Sequence, residues 1–431
     1  MGAGVMGLAA AYEALLQGHQ VDVFEASPEP GGMAAHFDFG GLSIERFYHF
    51  ICKSDAATFA LLSELGIAGK VHWVETSMGF FHRKKLHPWG NPLSLLRLPG
   101  VRWADKLRYG LFVFGCIRRD EWPELEHESA RDWIVRSCGQ RIYDEFWRPL
   151  LELKYYEFAN HISAAWIWTR IRRIGRSRKS LMQEELGYIE GGSETLVDAL
   201  LAAIEKMGGR IHLKSAVRSV LVENGRVVGV NIDRKQFAAD FVLSTVPTPY
   251  VPRMIPDLPP DWKARYESIQ NIAVFCVIFK LKRSVSPHFW INISESGIEI
   301  PGIIEFTNLR RIGDATLVYV PYYMPATNEK FLWTDDRLCD EAFACLQCIN
   351  PALTRQDVLE ATVTRLRHGQ PVCDVGFASK IPPIQTPIEG LQIADTCFYY
   401  PEDRGIAESV RLGRAMSRSI LDVSVSKQKI A

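Results

Sequence analysis

The chain has 431 residues, 47% apolar and 23% charged, with 50 basic side chains matched by 50 acidic ones. That length suits two or three domains with ample core, and the composition is that of a globular protein. Zero net charge excludes a general nucleic-acid binder. No apolar run approaches the roughly 18 residues of a spanning helix. The first residues do not read as a secretory leader, and nine scattered cysteines suit reduced thiols, so a cytoplasmic location is expected.

The chain opens on Gly2-Ala3-Gly4-Val5-Met6-Gly7, a G-x-G-x-x-G turn, and runs into a helical pattern, Leu8 to Leu16. In such a turn the first glycine permits the tight bend. The second lets the backbone approach a pyrophosphate, and the third lets helix and strand pack closely. The helix N-terminus offers free N–H groups and a positive dipole end. A short strand, Gln20 to Phe24, then ends at Glu25, placing an acid where a ribose needs one. Turn, helix, strand and acid in this order point to a bound dinucleotide. Only Met1 precedes Gly2, so the strand that normally leads into such a turn is expected to lie upstream of the sequence given.

Beyond Glu25 comes Gly31-Gly32-Met33-Ala34. The pair resembles the extended FAD fingerprint of the flavin amine oxidase superfamily, whose acid is followed by Gly-Gly and usually Arg. That superfamily includes monoamine oxidases, protoporphyrinogen oxidases and phytoene desaturases, and more distantly UDP-galactopyranose mutases. Glycine would let the chain pass close beneath the flavin. Gly187 to Ser193, the strand and hairpin through Val217 and Asn224-Gly225, and Ala239 to Pro247 resemble the block that returns the chain to the FAD domain. Leu391 to Asp395 with Arg404 to Ser409 resembles the last FAD motif.

The resemblance implies an α/β fold, a Rossmann-type FAD-binding domain interleaved with an α+β substrate domain of mixed sheet and helical insert. The FAD domain would take residues 1–80, 185–250 and 375–431, and the substrate domain 81–184 and 251–374. Cofactor-binding positions would be Gly2, Gly4, Gly7, Glu25, Gly31, Gly32 and Met33, a backbone group at Val217 on adenine, Asp395 on the ribityl or pyrophosphate, and Gly405 and Ile406 at a helix pointing at the flavin. Met33 stands where Arg is usual, and Ala394-Asp395 where Gly-Asp is commoner.

The activity implied is FAD-dependent oxidation of a small-molecule substrate. With no second G-x-G-x-x-G, electrons would pass to oxygen, a quinone or another acceptor. His49, in Glu45-Arg46-Phe47-Tyr48-His49-Phe50, is the leading catalytic candidate, as a general base or a flavin-orienting group. This segment also resembles, loosely, the His-containing stretch of UDP-galactopyranose mutases. Lys154 is the second candidate, by likeness to a lysine that activates a flavin-facing water in several amine oxidases; the other reading is a solvated lysine. Tyr155, Tyr156, Trp290, Asn292, Tyr322 and Tyr323 are candidate pocket walls, and by family position Tyr399 or Tyr400 lies near the flavin ring. Strands at 273–279 and 315–321 would form the pocket floor.

Arg170 to Lys179 holds six basic residues in ten and reads as a solvated face, an anionic-membrane contact or a phosphate clamp. Leu111-Phe112-Val113-Phe114 reads as core or as the mouth of an apolar tunnel. Cys345-Leu346-Gln347-Cys348 reads as buried apolar packing rather than a metal site. Two other functions remain open. One is a mutase-like isomerisation of a sugar nucleotide, with the arginine run clamping a diphosphate. The other is a non-catalytic binding role like that of Rab GDP-dissociation inhibitors, which share the general fold.

Overall fold

The computed structural model describes residues 1–428, with side chains as far as residue 420. The phosphate-loop helix, Val5–Leu16, is apolar almost all round and is buried on nearly every side. Its alanines allow close neighbours. The last helix, from Ile406, crosses it so tightly that a Cβ on Gly413 would fall 2.2 Å from the Met6 carbonyl oxygen. Ser417 Oγ donates to the Ala10 carbonyl at 2.6 Å across the same contact. The one acid on this face, Glu13, is buried but accepts from Arg414 at 2.6 Å and Arg418 at 2.7 Å. Burial would raise its pKa, and the two guanidinium groups outweigh that and hold it below the usual carboxylate range.

Beside this helix, strand Asp22–Phe24 pairs in parallel with Arg210–His212, and Val242–Ser244 with Leu391–Ile393. Met1 and Gly2 join the two pairs. Gly2 N–H donates to Phe24 O at 2.8 Å, and Thr245 N–H to Met1 O at 3.0 Å.

The second layer is a seven-stranded mixed sheet. Its spatial order is Val358–Pro371, Asn271–Leu281, Thr316–Met324, Gly302–Glu305, Trp290–Ser294, Met78–His82 and Lys85–Trp89. Every pairing is antiparallel except Trp290–Ser294 with Met78–His82. This is the α/β fold with mixed sheet and helical insert that the resemblance implies.

Strands 273–279 and 315–321 reach the cavity at Val274 and Pro321, but residues 273–279 are buried on both faces. Val274, Cys276 and Ile278 pack toward the helical insert, while Phe275, Val277 and Phe279 pack on helix Asp335–Ile349. A strand buried on both faces reads as a near-continuous apolar run, which is why the face that meets the cavity could not be read from it.

The helical insert spans Pro92–Arg97, the mouth helix Trp103–Arg118, Ala130–Cys138, Arg148–Tyr155 and Ala164–Arg176. Its core is aromatic. Trp166 and Trp168 are buried, and each indole N–H is satisfied, by Tyr155 OH at 2.7 Å and Cys116 O at 3.0 Å.

Candidate functional site

One cavity of about 1630 Å³ runs from the phosphate loop to the helical insert. It exceeds the roughly 300–1,000 Å³ of an ordinary small-molecule pocket, leaving room for a dinucleotide and a substrate together. Gly2, Gly4, Glu25, Gly31, Gly32, Met33, Val217, Asp395, Gly405 and Ile406 all line it. Gly7 does not; a Cβ there would lie 2.0 Å from Gly2 O, so this glycine closes helix against turn.

Gly4 is different. A Cβ on it would meet protein only at Gly32 Cα, 3.9 Å away, and would otherwise project into the cavity. Its lack of a side chain serves whatever the cavity holds. The two glycine turns touch each other, with Gly31 N–H donating to Ala3 O at 2.7 Å. No side chain caps the helix that starts at Val5, so its first N–H groups face the cavity available to an anion.

Glu25 accepts from the N–H of Ala3 at 2.7 Å and of Ser27 at 2.8 Å, one on each oxygen. Each oxygen keeps a lone pair for a ribose hydroxyl. Asp395 is buried and similarly anchored, by Thr248 N–H at 2.6 Å and Cys397 N–H at 2.8 Å. Met33 is half-buried on the cavity wall and brings no charge. An uncapped helix end, a bare glycine and an acid with spare acceptors are the fittings of a dinucleotide.

His49 also lines the cavity. Glu45, four residues earlier, holds it: Oε2 accepts the His49 main-chain N–H at 3.0 Å and lies 3.8 Å from ring Nδ1. That ring nitrogen is buried and has no hydrogen-bond partner. Glu45 Oε1 accepts from Ser193 N–H and Oγ, both at 2.9 Å, with His36 Nε2 3.8 Å away. Burial would raise the Glu45 pKa; the two histidines and the Ser193 N–H outweigh it and bring it to about 2.

Lys154, on helix Arg148–Tyr155, faces the cavity rather than bulk water. Its Nζ sits 4.5 Å from the centre of the Tyr323 ring, with no carboxylate within ion-pair distance among the described residues. Burial, then the Arg170 charge, lower its pKa well below the ordinary lysine value, against the pull of Asp403. Arg170 is tied to Asp403 by two bonds, Nε at 3.1 Å and Nη2 at 2.7 Å, and lies 3.8 Å over the Trp166 ring. The site therefore holds an amine biased toward its neutral form beside a fixed guanidinium.

Of the expected pocket walls, Tyr155, Trp290, Asn292, Tyr323 and Tyr399 line the cavity. Tyr322 points to the other face of the sheet and stacks on Phe275 at 4.5 Å. Tyr156 packs there too, and Tyr400 instead bonds Ser163 at 2.6 Å and Glu126. Strand residues 322 and 323 necessarily point to opposite faces, a parity the sequence leaves unassigned. Glu45, Asp403 and Tyr323 acquire their roles only through contacts distant in the chain, although Glu45 sits one helical turn's spacing before His49.

The basic run from Arg170 to Lys179 is paired residue by residue with acids of this chain. Arg170 pairs with Asp403, Arg172 and Arg176 with Asp120, Arg173 with Asp55, Arg178 with Glu184, and Lys179 with Glu75. All six charges are spent inside the molecule.

The profile of the flavin containing amine oxidoreductase family matches residues 6–372, and the chain belongs to that family; FAD is the cofactor its site fits. Zeta-carotene desaturase of Zea mays is 25% identical over an alignment of 305 positions that covers 63% of this chain and 52% of that one. The chain spans about half to three-fifths of the length of the curated relatives it matches. A proposed protoporphyrinogen oxidase from Exiguobacterium sp. 255-15 superposes with a TM-score of 0.75 at 18% identity, covering 97% of each chain. A reduced UDP-galactopyranose mutase gives 0.76 at 16% identity, covering 98% of this chain and 93% of that one. These two likenesses concern the fold.

Proposed function

We propose that this protein is an FAD-dependent oxidoreductase that removes a hydride equivalent, one hydrogen with two electrons, from a C–H bond of an organic substrate. The observation that carries the reading is the continuity of one cavity from the phosphate loop to Lys154. Bound FAD supplies the two-electron acceptor, which oxygen, a quinone or another oxidant then restores.

The chain's own groups bind, orient and move protons. Glu25 would accept the ribose hydroxyls, the N–H groups at Val5 and Met6 would take the pyrophosphate, and the Val217 main chain would meet adenine. Asp395 would hold the ribityl or pyrophosphate, and the helix that opens after Gly405 would lend the flavin the positive end of its dipole. Lys154, biased to the neutral amine, accepts the proton that leaves the substrate's heteroatom or holds the water that does so. His49, held by Glu45 on its Nδ1 side, positions ring or substrate from the cavity wall. Tyr323, Trp290 and Tyr155 wall the substrate. The diphosphate clamp that a mutase reading needs loses its support, since the run from Arg170 to Lys179 is already paired.

The test is anaerobic mixing of the yellow holoprotein with amines, porphyrinogens and polyenes in turn. Bleaching of the flavin absorbance by one class carries the proposal. Turnover of a sugar nucleotide with no acceptor would replace it with the mutase reading. A colourless protein would replace it with the binding role.

A further inference from the structure

The mouth helix, Trp103–Arg118, departs from the usual pattern of a helix on a protein surface. Its outward stripe is apolar. Trp103, Leu107, Leu111 and Phe114 recur at helical spacing and are 69, 65, 62 and 49% exposed. Leu93 and Leu96 of the neighbouring helix Pro92–Arg97, with Leu181 and Met182 of a nearby loop, are exposed as well. Eight of the 15 large apolar side chains exposed among the described residues thus gather at one place. Soluble monomers seldom leave such a patch without a partner.

The patch is also the rim of the cavity. Leu96, Leu107, Leu111, Phe114 and Leu181 line it, and the wall inside continues through Tyr109, Ile171 and Ile174. The charge around the rim is mostly positive. Residues 92–119 carry six basic side chains against one acid, Asp105. Arg97, Arg102, Arg108 and Arg118 are exposed, and among the described residues none of the four is in an ion pair. The paired run at 170–179 offers no such free charge.

We infer that this face docks on an anionic lipid bilayer, and that the substrate is a lipid-soluble molecule drawn from the bilayer through the mouth. An apolar stripe flanked by arginines is what an interfacial helix presents to headgroups and acyl chains. No described helix is long and apolar enough to cross a membrane, so the contact is peripheral. A protein partner would not require the apolar surface to run on into the cavity, whereas a lipid-soluble substrate does. The substrate half of this inference rests on the oxidoreductase reading; the docking half does not.

The test is flotation of the full-length holoprotein with vesicles of phosphatidylcholine containing about one quarter phosphatidylglycerol, and with phosphatidylcholine alone. The protein is expected to float with the anionic vesicles and to release as salt rises. Leu107→Ser/Leu111→Ser is expected to weaken binding about tenfold or more. If that variant loses its flavin colour, Trp103→Ser, outside the cavity wall, carries the same expectation. Failure to bind either vesicle overturns the inference, as does unchanged binding by a folded patch variant. A dimer that the patch variant dissociates, with no vesicle binding, overturns it in favour of a self-interface. Yellow protein that ignores vesicles sinks this inference alone, and colourless protein that binds them sinks the oxidoreductase reading and the substrate half with it, leaving the docking half standing.

Discussion

At the phosphate end the cavity wall is mostly main chain: Gly2, Gly4, Gly31 and Gly32, with the bare start of the first helix. At the substrate end it is side chains, with Lys154, Arg170, Tyr323 and Trp290 converging from segments far apart in the sequence. The first end recognises groups that every FAD carries, so short local turns suffice. The second recognises one substrate, and its groups have meaning only through partners brought in by the fold.

The largest expected effect breaks the phosphate end. Gly7→Ala forces a Cβ against the Gly2 carbonyl and should cost about 3 kcal/mol or more, seen as loss of bound flavin and a large fall in Tm. A variant that keeps its yellow colour and its Tm would remove the steric account of that turn.

At the substrate end, Lys154→Met should lower kcat/KM by about 100- to 1,000-fold and leave the flavin spectrum intact. The sign with pH follows from the lowered pKa. The base accumulates as pH rises, so wild-type activity climbs below the ordinary lysine range, and the variant loses that climb. Stability runs in the same direction. The unfolded chain binds the proton more tightly, so wild-type stability rises with pH up to about 10.4, while the variant should be the more stable protein at neutral pH. A merely structural lysine, buried in the same way, would show the stability trend but not the activity climb.

Glu45 joins the two ends, since it ties the His49 segment to Ser193. Glu45→Gln should cost roughly 2 kcal/mol at neutral pH. Its pKa lies below the unfolded value, so its contribution is present above about 4.5 and fades as pH falls toward 2. Denaturation curves of the two proteins should therefore converge in acid. The smallest effect belongs to the basic run. Arg176→Gln breaks a pairing with the exposed Asp120 and a surface bond to the Ile117 carbonyl at 3.0 Å, and neither Tm nor vesicle flotation should change measurably. A drop in flotation would restore the membrane role to that run.

This contrast also explains what could be read from the sequence. The glycine turns, Glu25 and Asp395 are legible because each sits in a short motif of recognisable spacing, even though Ala3 and Thr248, which anchor the two acids, are distant in the chain. Lys154 could be nominated but not distinguished from a solvated lysine, because burial against Tyr323 spans 169 positions. The run at 170–179 left a solvated face, a membrane contact and a clamp undistinguished for the same reason. Its acids, at 55, 75, 120, 184 and 403, are mostly remote, so six neutralised charges looked free. The parity of Tyr322 and Tyr323 needed the sheet's second covering layer before either face could be named.

The isolated amine of Lys154 has one further consequence, in the language of chemical labelling. Exposed lysines are protonated at neutral pH and react slowly with acylating reagents. An amine held toward neutrality, reached through an apolar mouth, should react ahead of them with small lipophilic anhydrides. A bulky substrate in the same chamber would shield it, and a single mass-tagged peptide would then report occupancy of the site without any assay of turnover.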